Sequence, residues 1–403
     1  MKLFTKKSPI LHHRCFGCSQ INNLKEENAD AGFSSFCFLN SKFQKLLNST
    51  TMKNHCFLLA LFASTLLFAQ EDLPLRGLAV AAPDKASVSR FVKFINEELG
   101  PRNINTLVLR VDYDFKYTSH PELANEDGLT QQDVYKIVEA CAKNNIEIIP
   151  QINLFGHQSW HGSLGKLLTV YPQFDETPDV ELPQDYEWPN ADGLYCKSYC
   201  PLHPEVHDVV FDLIDEITTA FKADAFHAGM DEVFYIGMPQ CPRCSGRDKA
   251  ELFAGEVTKI RNHLAQDGKR LWIWGDRLID GKTTGIGLWE ASMNNTYKAI
   301  NLIPKDVMIC DWHYERPDPT AVYFAMNGLD VATCSWRNPD VAVQQQQMLK
   351  DLREGATTAM KEHYRGMLHT SWTSTANFLE MFYEQKPKED NDATTFKALF
   401  KKN

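Results

Sequence analysis

From residue 75 to residue 372, eight short β-type apolar runs alternate with longer stretches of helical period. The runs are residues 75–83, 105–113, 147–154, 225–230, 270–276, 307–314, 329–336 and 366–372. Helical periodicity fills residues 87–99, 130–144, 205–222, 250–267 and 341–354. Thr130 with Asp133 three residues on supplies a start signal for the second of these. A chain that repeats strand and helix in this way buries its strands on both faces, and eight such units close into a ring. The rhythm predicts an α/β fold, a (β/α)8 barrel in a single catalytic domain. A doubly wound sheet is the alternative, but no Gly-rich phosphate turn follows the first run.

Polar and aromatic residues collect at the C-terminal ends of the runs: Asp112, His157, Asp231, Glu232, Trp274, Asp311, Tyr314, Trp336 and Trp372. Scattered along a line they mean little. On a barrel those ends converge on one mouth, where active sites sit. The sharpest stretch is Ala225-Phe226-His227-Ala228-Gly229-Met230-Asp231-Glu232. Two adjacent acids ending an apolar run are costly unless water or substrate meets them. His227, Gly229 and Asp231 share one face of a strand. Glu232 joins them only if the strand stops and the chain turns over the mouth. A pocket of acids and indoles suits a sugar.

With 43% hydrophobic and 23% charged residues the composition is that of a globular protein. The formal net charge of -10 argues against a nucleic-acid surface. Residues 1–51 show no sustained periodicity and read as an unstructured or mis-assigned extension. Met52-Lys53-Asn54-His55, the apolar run 56–68 and the break after Ala69 have the layout of a secretory signal, residues 52–70. That run is short for a membrane span. The expectation is an exported chain, periplasmic or secreted, with no membrane span in its mature form. The catalytic domain is expected over 73–385, with a tail over 386–403.

The hexapeptide His227 to Glu232 resembles the His-x-Gly-x-Asp-Glu motif of glycoside hydrolase family 20, the β-N-acetylhexosaminidases. The similarity is nearest to the compact branch that includes hexosaminidase D and its bacterial relatives. Residues 150–157, Trp274, Asp311 to Tyr314 and Trp372 support the resemblance. It implies hydrolysis of terminal non-reducing N-acetyl-hexosamine by substrate-assisted retention, an exception to the two-carboxylate scheme. It also implies the roles. Glu232 is the general acid and base, and Asp231 stabilises the acetamido group. Tyr314, or else His313, bonds the acetamido oxygen. Trp274, Trp336 and Trp372 wall the sugar. Arg76 binds ring hydroxyls, Asp112 and His157 position the acid pair or relay charge, and Asp311 is a further substrate-binding residue. No cofactor, metal or nucleic-acid partner is implied. One departure stands out: Trp372 is followed by Thr373-Ser374-Thr375, where many members carry a Glu two residues on. The choice between gluco and galacto sugars is left open by it. The alternative function is a non-catalytic or altered-specificity carbohydrate-binding barrel. A metal-dependent barrel hydrolase using Asp231, His227 and His157 is disfavoured, because the first run lacks a His-x-His pair.

Cys196, Cys200, Cys241 and Cys244 lie at spacings that fit either a zinc site or disulfides. For an exported chain disulfides are the preferred reading, with reduced thiols a third. Cys141, Cys310 and Cys334 read as core thiols.

Overall fold

The first run becomes β1 (Leu75–Ala81), followed by β2 (Thr106–Arg110) and β3 (Glu147–Leu154) in a computed structural model of the chain. A two-stranded hairpin follows, β4 (Ser159–Trp160) against β5 (Ser163–Leu164). Then come β6 (Ala225–Gly229), β7 (Arg270–Trp274), β8 (Met308–Trp312), β9 (Val331–Ser335) and β10 (Tyr364–Thr370). The structure describes residues 73–160, 162–182, 196–383 and 391–402. The expected extension, the signal segment and part of the aromatic insertion after Trp160 lie outside the described residues.

Apart from the hairpin, all the strands run parallel and close on themselves in the order β1-β10-β9-β8-β7-β6-β3-β2. Closure leaves no unpaired sheet edge. The expected (β/α)8 barrel is what forms. Side chains alternate across each strand. Met308, Cys310 and Trp312 of β8 turn inward, joining Trp272, Trp274 and Leu368 in the barrel interior. Ile309 turns outward into the shell between strands and helices. Both faces are apolar, so hydrophobicity alone does not reveal which residues face in.

The helices follow the expected periodic stretches closely: Gln131–Lys143, Val206–Ala220, Lys249–Gln266 and Pro339–Gly355. Thr130 caps the first of them, with Asp133 returning the bond in a capping box. Among the described residues no helix is long and apolar enough to cross a membrane.

The stretch 386–403, set apart in the sequence as a tail, contains a helix. Helix Asp392–Leu399 is capped by Asn391 and Thr394, and it packs onto the barrel. Phe396 is fully buried, with its ring 6.3 Å from Phe94 and 6.2 Å from Phe378. Arg102 Nη1 donates to the Phe400 carbonyl at 3.1 Å, fastening the end of this segment to the shell. An Asn cap and a buried face suffice to start so short a helix, which a reading for long periodic stretches passes over.

Candidate active site

The end of β6 sets the geometry. Gly229 has φ +68°, and a Cβ there would stand 2.1 Å from Asn153 Oδ1, so no other residue fits. Met230 and Glu232 follow in the left-handed region, at φ 67° and 50°. The strand therefore stops and the chain turns, which brings both Asp231 and Glu232 to the mouth. Phe155 and His157, just beyond β3, are left-handed too, at φ 66° and 53°. The two turns press together at Gly156, where a Cβ would lie 2.5 Å from the Asp231 carbonyl. Non-glycine residues in this region on both of two adjacent turns mark a strained site held by its surroundings.

Those surroundings are polar and buried. Glu232 N donates to Asp276 Oδ2 at 2.9 Å. Asp276 is paired with Arg277 Nε at 2.5 Å, and Trp312 Nε1 donates to its other oxygen at 3.3 Å. The Cys196 thiol donates to the Glu232 carbonyl at 3.4 Å. His157 Nε2 lies 3.1 Å from Asp231 Oδ2 and 3.2 Å from Glu232 Oε2, so one imidazole faces both acids. Asp112 Oδ1 accepts from Asn153 N at 2.7 Å, tying the ends of β2 and β3 together behind them.

The adjacent acids are driven apart in protonation. Burial pushes the Glu232 carboxyl up, and the neighbouring Asp231 and Asp276 charges add to this against the pull of His157. Burial also works to raise Asp231, but the charge and hydrogen bond of His157 outweigh it and hold Asp231 below its ordinary range. His157 is raised well above its usual value: burial opposes this, and the Asp231 charge overcomes it. The two directions favour the ionised form at Asp231 and the protonated form at Glu232. Asp231 Oδ1 is buried with no hydrogen-bond partner among the described residues.

A cavity of about 990 Å³ opens above the pair. Trp289, Trp312, Trp336 and Trp372 line it together with Tyr314. Trp372 Nε1 donates to the Tyr314 hydroxyl at 2.9 Å. Tyr314 stands 5.1 Å from the Trp312 ring and 5.3 Å from the Trp336 ring. Of the residues singled out in the sequence, Asp112, His157, Asp231, Glu232, Tyr314, Trp336 and Trp372 line this cavity.

Three expected residues do not. Arg76 is the second residue of β1, at the opposite end of the barrel. It points outward and donates to the carbonyls of Arg102 and Asn103 at 3.0 and 3.2 Å. Its place is taken by Arg110, the last residue of β2, which turns inward. Arg110 Nη2 donates to the Ser371 carbonyl at 2.8 Å, and its guanidinium stacks 4.7 Å over Trp372. Trp274 is fully buried beneath the cavity, 4.6 Å from the His227 ring and 5.6 Å from Trp372, as a floor rather than a wall. Asp311 alternates outward from β8 and accepts from Thr320 Oγ1 at 2.6 Å. It reaches the cavity only through others: His313 lies 3.0 Å from Asp311 and 2.9 Å from Glu290, which lines the cavity. Burial opposes a charged His313, but Asp311 and Glu290 push it up to about 10.

Arg110 and Trp312 were within reach of the sequence. Arg110 shares its face with Val108, and Trp312 shares one with Tyr314, each two residues apart. Trp289 and Glu290 come from a loop with no periodic signal.

All seven cysteines in the described residues are free and buried. Cys200 Sγ lies 3.4 Å from both Cys244 Sγ and Cys241 Sγ. Cys196 is not part of that group and bonds the Glu232 carbonyl instead.

Residues 113–391 match the model of the glycosyl hydrolase family 20 catalytic domain. The chain belongs to glycosyl hydrolase family 20. A family 20 relative, the beta-hexosaminidase of Akkermansia muciniphila, is 26% identical over 47% of this chain and 39% of its own length. The beta-hexosaminidase of Porphyromonas gingivalis is 28% identical over 38% of this chain and 19% of its own. This family 20 chain thus spans well under half the length of these curated relatives. The Flavobacterium johnsoniae chitobiase superposes with a TM-score of 0.58 at 16% identity, covering 81% of this chain and 48% of that one. A beta-N-acetylhexosaminidase crystal structure gives 0.56 at 18% identity, covering 81% and 72%. At such identities the likeness shows the shared barrel fold.

Proposed function

We propose that this family 20 chain is a β-N-acetylhexosaminidase. Its substrate is a glycan with a terminal non-reducing N-acetyl-hexosamine. The observation that carries the reading is the adjacent pair Asp231 and Glu232 at the cavity, both within 3.2 Å of His157 Nε2, with His157 lowering Asp231 and burial raising Glu232. The beta-hexosaminidase names of its relatives support the same activity.

In the first step the substrate's acetamido oxygen attacks the anomeric carbon, and the bond to the leaving oxygen breaks. Glu232, kept protonated by burial, donates its proton to that oxygen. Asp231 accepts from the acetamido N–H with its unpartnered oxygen as positive charge grows on the nitrogen. The Tyr314 hydroxyl receives the Trp372 indole proton, which leaves its own proton to meet the acetamido oxygen. In the second step Glu232 takes a proton from water, which attacks the anomeric carbon and opens the oxazolinium ring with retention. The indoles of Trp312, Trp336 and Trp372 press on the sugar's apolar faces. Arg110 and Glu290 serve the ring hydroxyls in place of the missing Glu after Trp372.

The test is hydrolysis of nitrophenyl β-N-acetylglucosaminide and its galacto epimer by wild type and Glu232→Gln. Turnover by wild type with a loss of about 10²–10⁴-fold in the variant is expected. Turnover that survives in the variant unchanged refutes the assignment. The ratio of epimers reads out the sugar preference. Residues 52–70 are proposed to export the chain, and N-terminal sequencing of secreted protein beginning near Gln70 is the matching check.

A further inference from the structure

Beyond the acid pair, one cluster of buried ligating groups has no part in the reaction. Cys241 and Cys244 lie in the short Cys-Pro-Arg-Cys turn that follows the catalytic segment, and Cys200 comes from the stretch before the helix Val206–Ala220. The ligand atoms of these three cysteines and of Glu176 all lie within 4.8 Å of one another. All four residues are at most 1% exposed.

The distances discriminate between the chemistries. Sulfur separations of 3.4 Å exceed a disulfide bond of about 2.05 Å. Zn–S bonds of about 2.3 Å at a tetrahedral angle place sulfurs about 3.8 Å apart, close to what is seen. The Cys244 amide donates to Cys241 Sγ at 3.4 Å, the turn by which a Cys-x-x-Cys half-site aims a backbone N–H at its own sulfur. Glu176 adds an independent sign. Its Oε1 accepts from Met238 N at 3.2 Å, while Oε2 is buried without a hydrogen-bond partner among the described residues. A buried carboxylate whose near neighbours are three thiols is costly, and a cation shared by all four answers that cost.

We propose that Cys200, Cys241, Cys244 and Glu176 form a structural zinc site of three thiolates and one carboxylate. Soft thiolates in a closed tetrahedral set select zinc over the hard divalent ions. Glu176 occupies the place that spacing alone would have given to Cys196. The metal crosslinks three segments, residues 174–177, 196–200 and 238–244, of which the first two already pair through a backbone bridge at Asp175 and Tyr199. The middle segment borders the catalytic turn, since Cys196 holds the Glu232 carbonyl. The ion is thus a brace for the general acid and takes no part in the bond-breaking step.

The experiment is elemental analysis of the full chain purified without chelators, for wild type, Cys241→Ser/Cys244→Ser and the control Cys141→Ser. About one zinc per chain is expected in wild type and control, with loss in the double variant. Should that variant not fold, titration of wild type with a mercurial thiol reagent beside a zinc indicator gives the same answer. One zinc is released as the thiols react. Zinc that stays in the folded double variant overturns the proposal. So does wild type without zinc whose peptide map shows Cys200, Cys241 or Cys244 in disulfides or freely alkylated. Neither result depends on which sugar the enzyme cleaves.

Discussion

Replacing His157 with Gln removes the cation that both acids share while keeping a hydrogen-bond donor at the site. His157 Nε2 is 3.1 Å from Asp231 and 3.2 Å from Glu232. Unit charges about 4 Å apart at an effective dielectric of about 20 attract by about 4 kcal/mol. Water entering a trimmed site offsets part of that, and carboxylates beside a single cation shift by about 1–3 units. At about 1.4 kcal/mol per unit, the loss is roughly 1.4–4 kcal/mol of preference for ionised Asp231. The sign follows from the directions. Asp231 is held low by His157, and Glu232, though raised by burial, is also restrained by it. Without the cation both rise, so the whole bell of kcat/KM against pH moves toward higher pH. The acid limb moves by about 1–3 units as a property of the coupled pair. Below that limb the variant loses about tenfold in rate for each unit moved. Steady-state kinetics on the nitrophenyl substrate across both limbs measure it, with thermal unfolding confirming that the variant is folded. An acid limb that stays in place, or moves down, refutes the electrostatic role given to His157.

Tyr314→Phe deletes the hydroxyl that accepts from Trp372, and kcat should fall about 10²–10³-fold, as for other single donors to a reacting oxygen. A rise in KM with kcat intact would place Tyr314 outside the reacting group. Arg110→Lys should cost about 10–100-fold in kcat/KM through lost charged hydrogen bonds to the sugar, while Arg76→Lys leaves the kinetics unchanged. Equal effects would undo the exchange of those two residues. Gly156→Ala forces a methyl against the Asp231 carbonyl at 2.5 Å. It should lower kcat and destabilise by about 1–3 kcal/mol, read by activity and denaturant unfolding. Phe396→Ala, outside the cavity lining, should cost about 3–5 kcal/mol in unfolding with kcat unchanged, and a neutral effect would mean that the last helix is dispensable.

The barrel was legible because its strands and helices differ in period and length, and Glu147–Leu154 and Gln131–Lys143 lie where the pattern put them. The acid pair was legible because two adjacent carboxylates closing an apolar run are too costly to keep anywhere but at a mouth that water or substrate reaches. Direction was harder. In a strand buried on both sides, Arg76 and Arg110 look alike, and only the count of residues from the strand's start tells bottom from mouth. Asp311 failed for the neighbouring reason: it is one residue from Trp312, and one residue in a strand is the opposite face. Glu176 and Glu290 could not have been found, since loop geometry alone brings each to its partners.

Barrel closure has a consequence for how the chain is made. The seam is the pairing of β1 with β10, Leu75 against Gly366. About 290 residues separate the two strands (364 − 75). At roughly 5–20 residues per second, β1 emerges from a ribosome about 15–60 s before its neighbour exists. For that interval an apolar strand, Leu75–Ala81, carries an open edge that only the last tenth of the chain can cover. Slower initiation, lower temperature or abundant holdase chaperones should therefore raise the soluble yield of this protein more than any change at its surface.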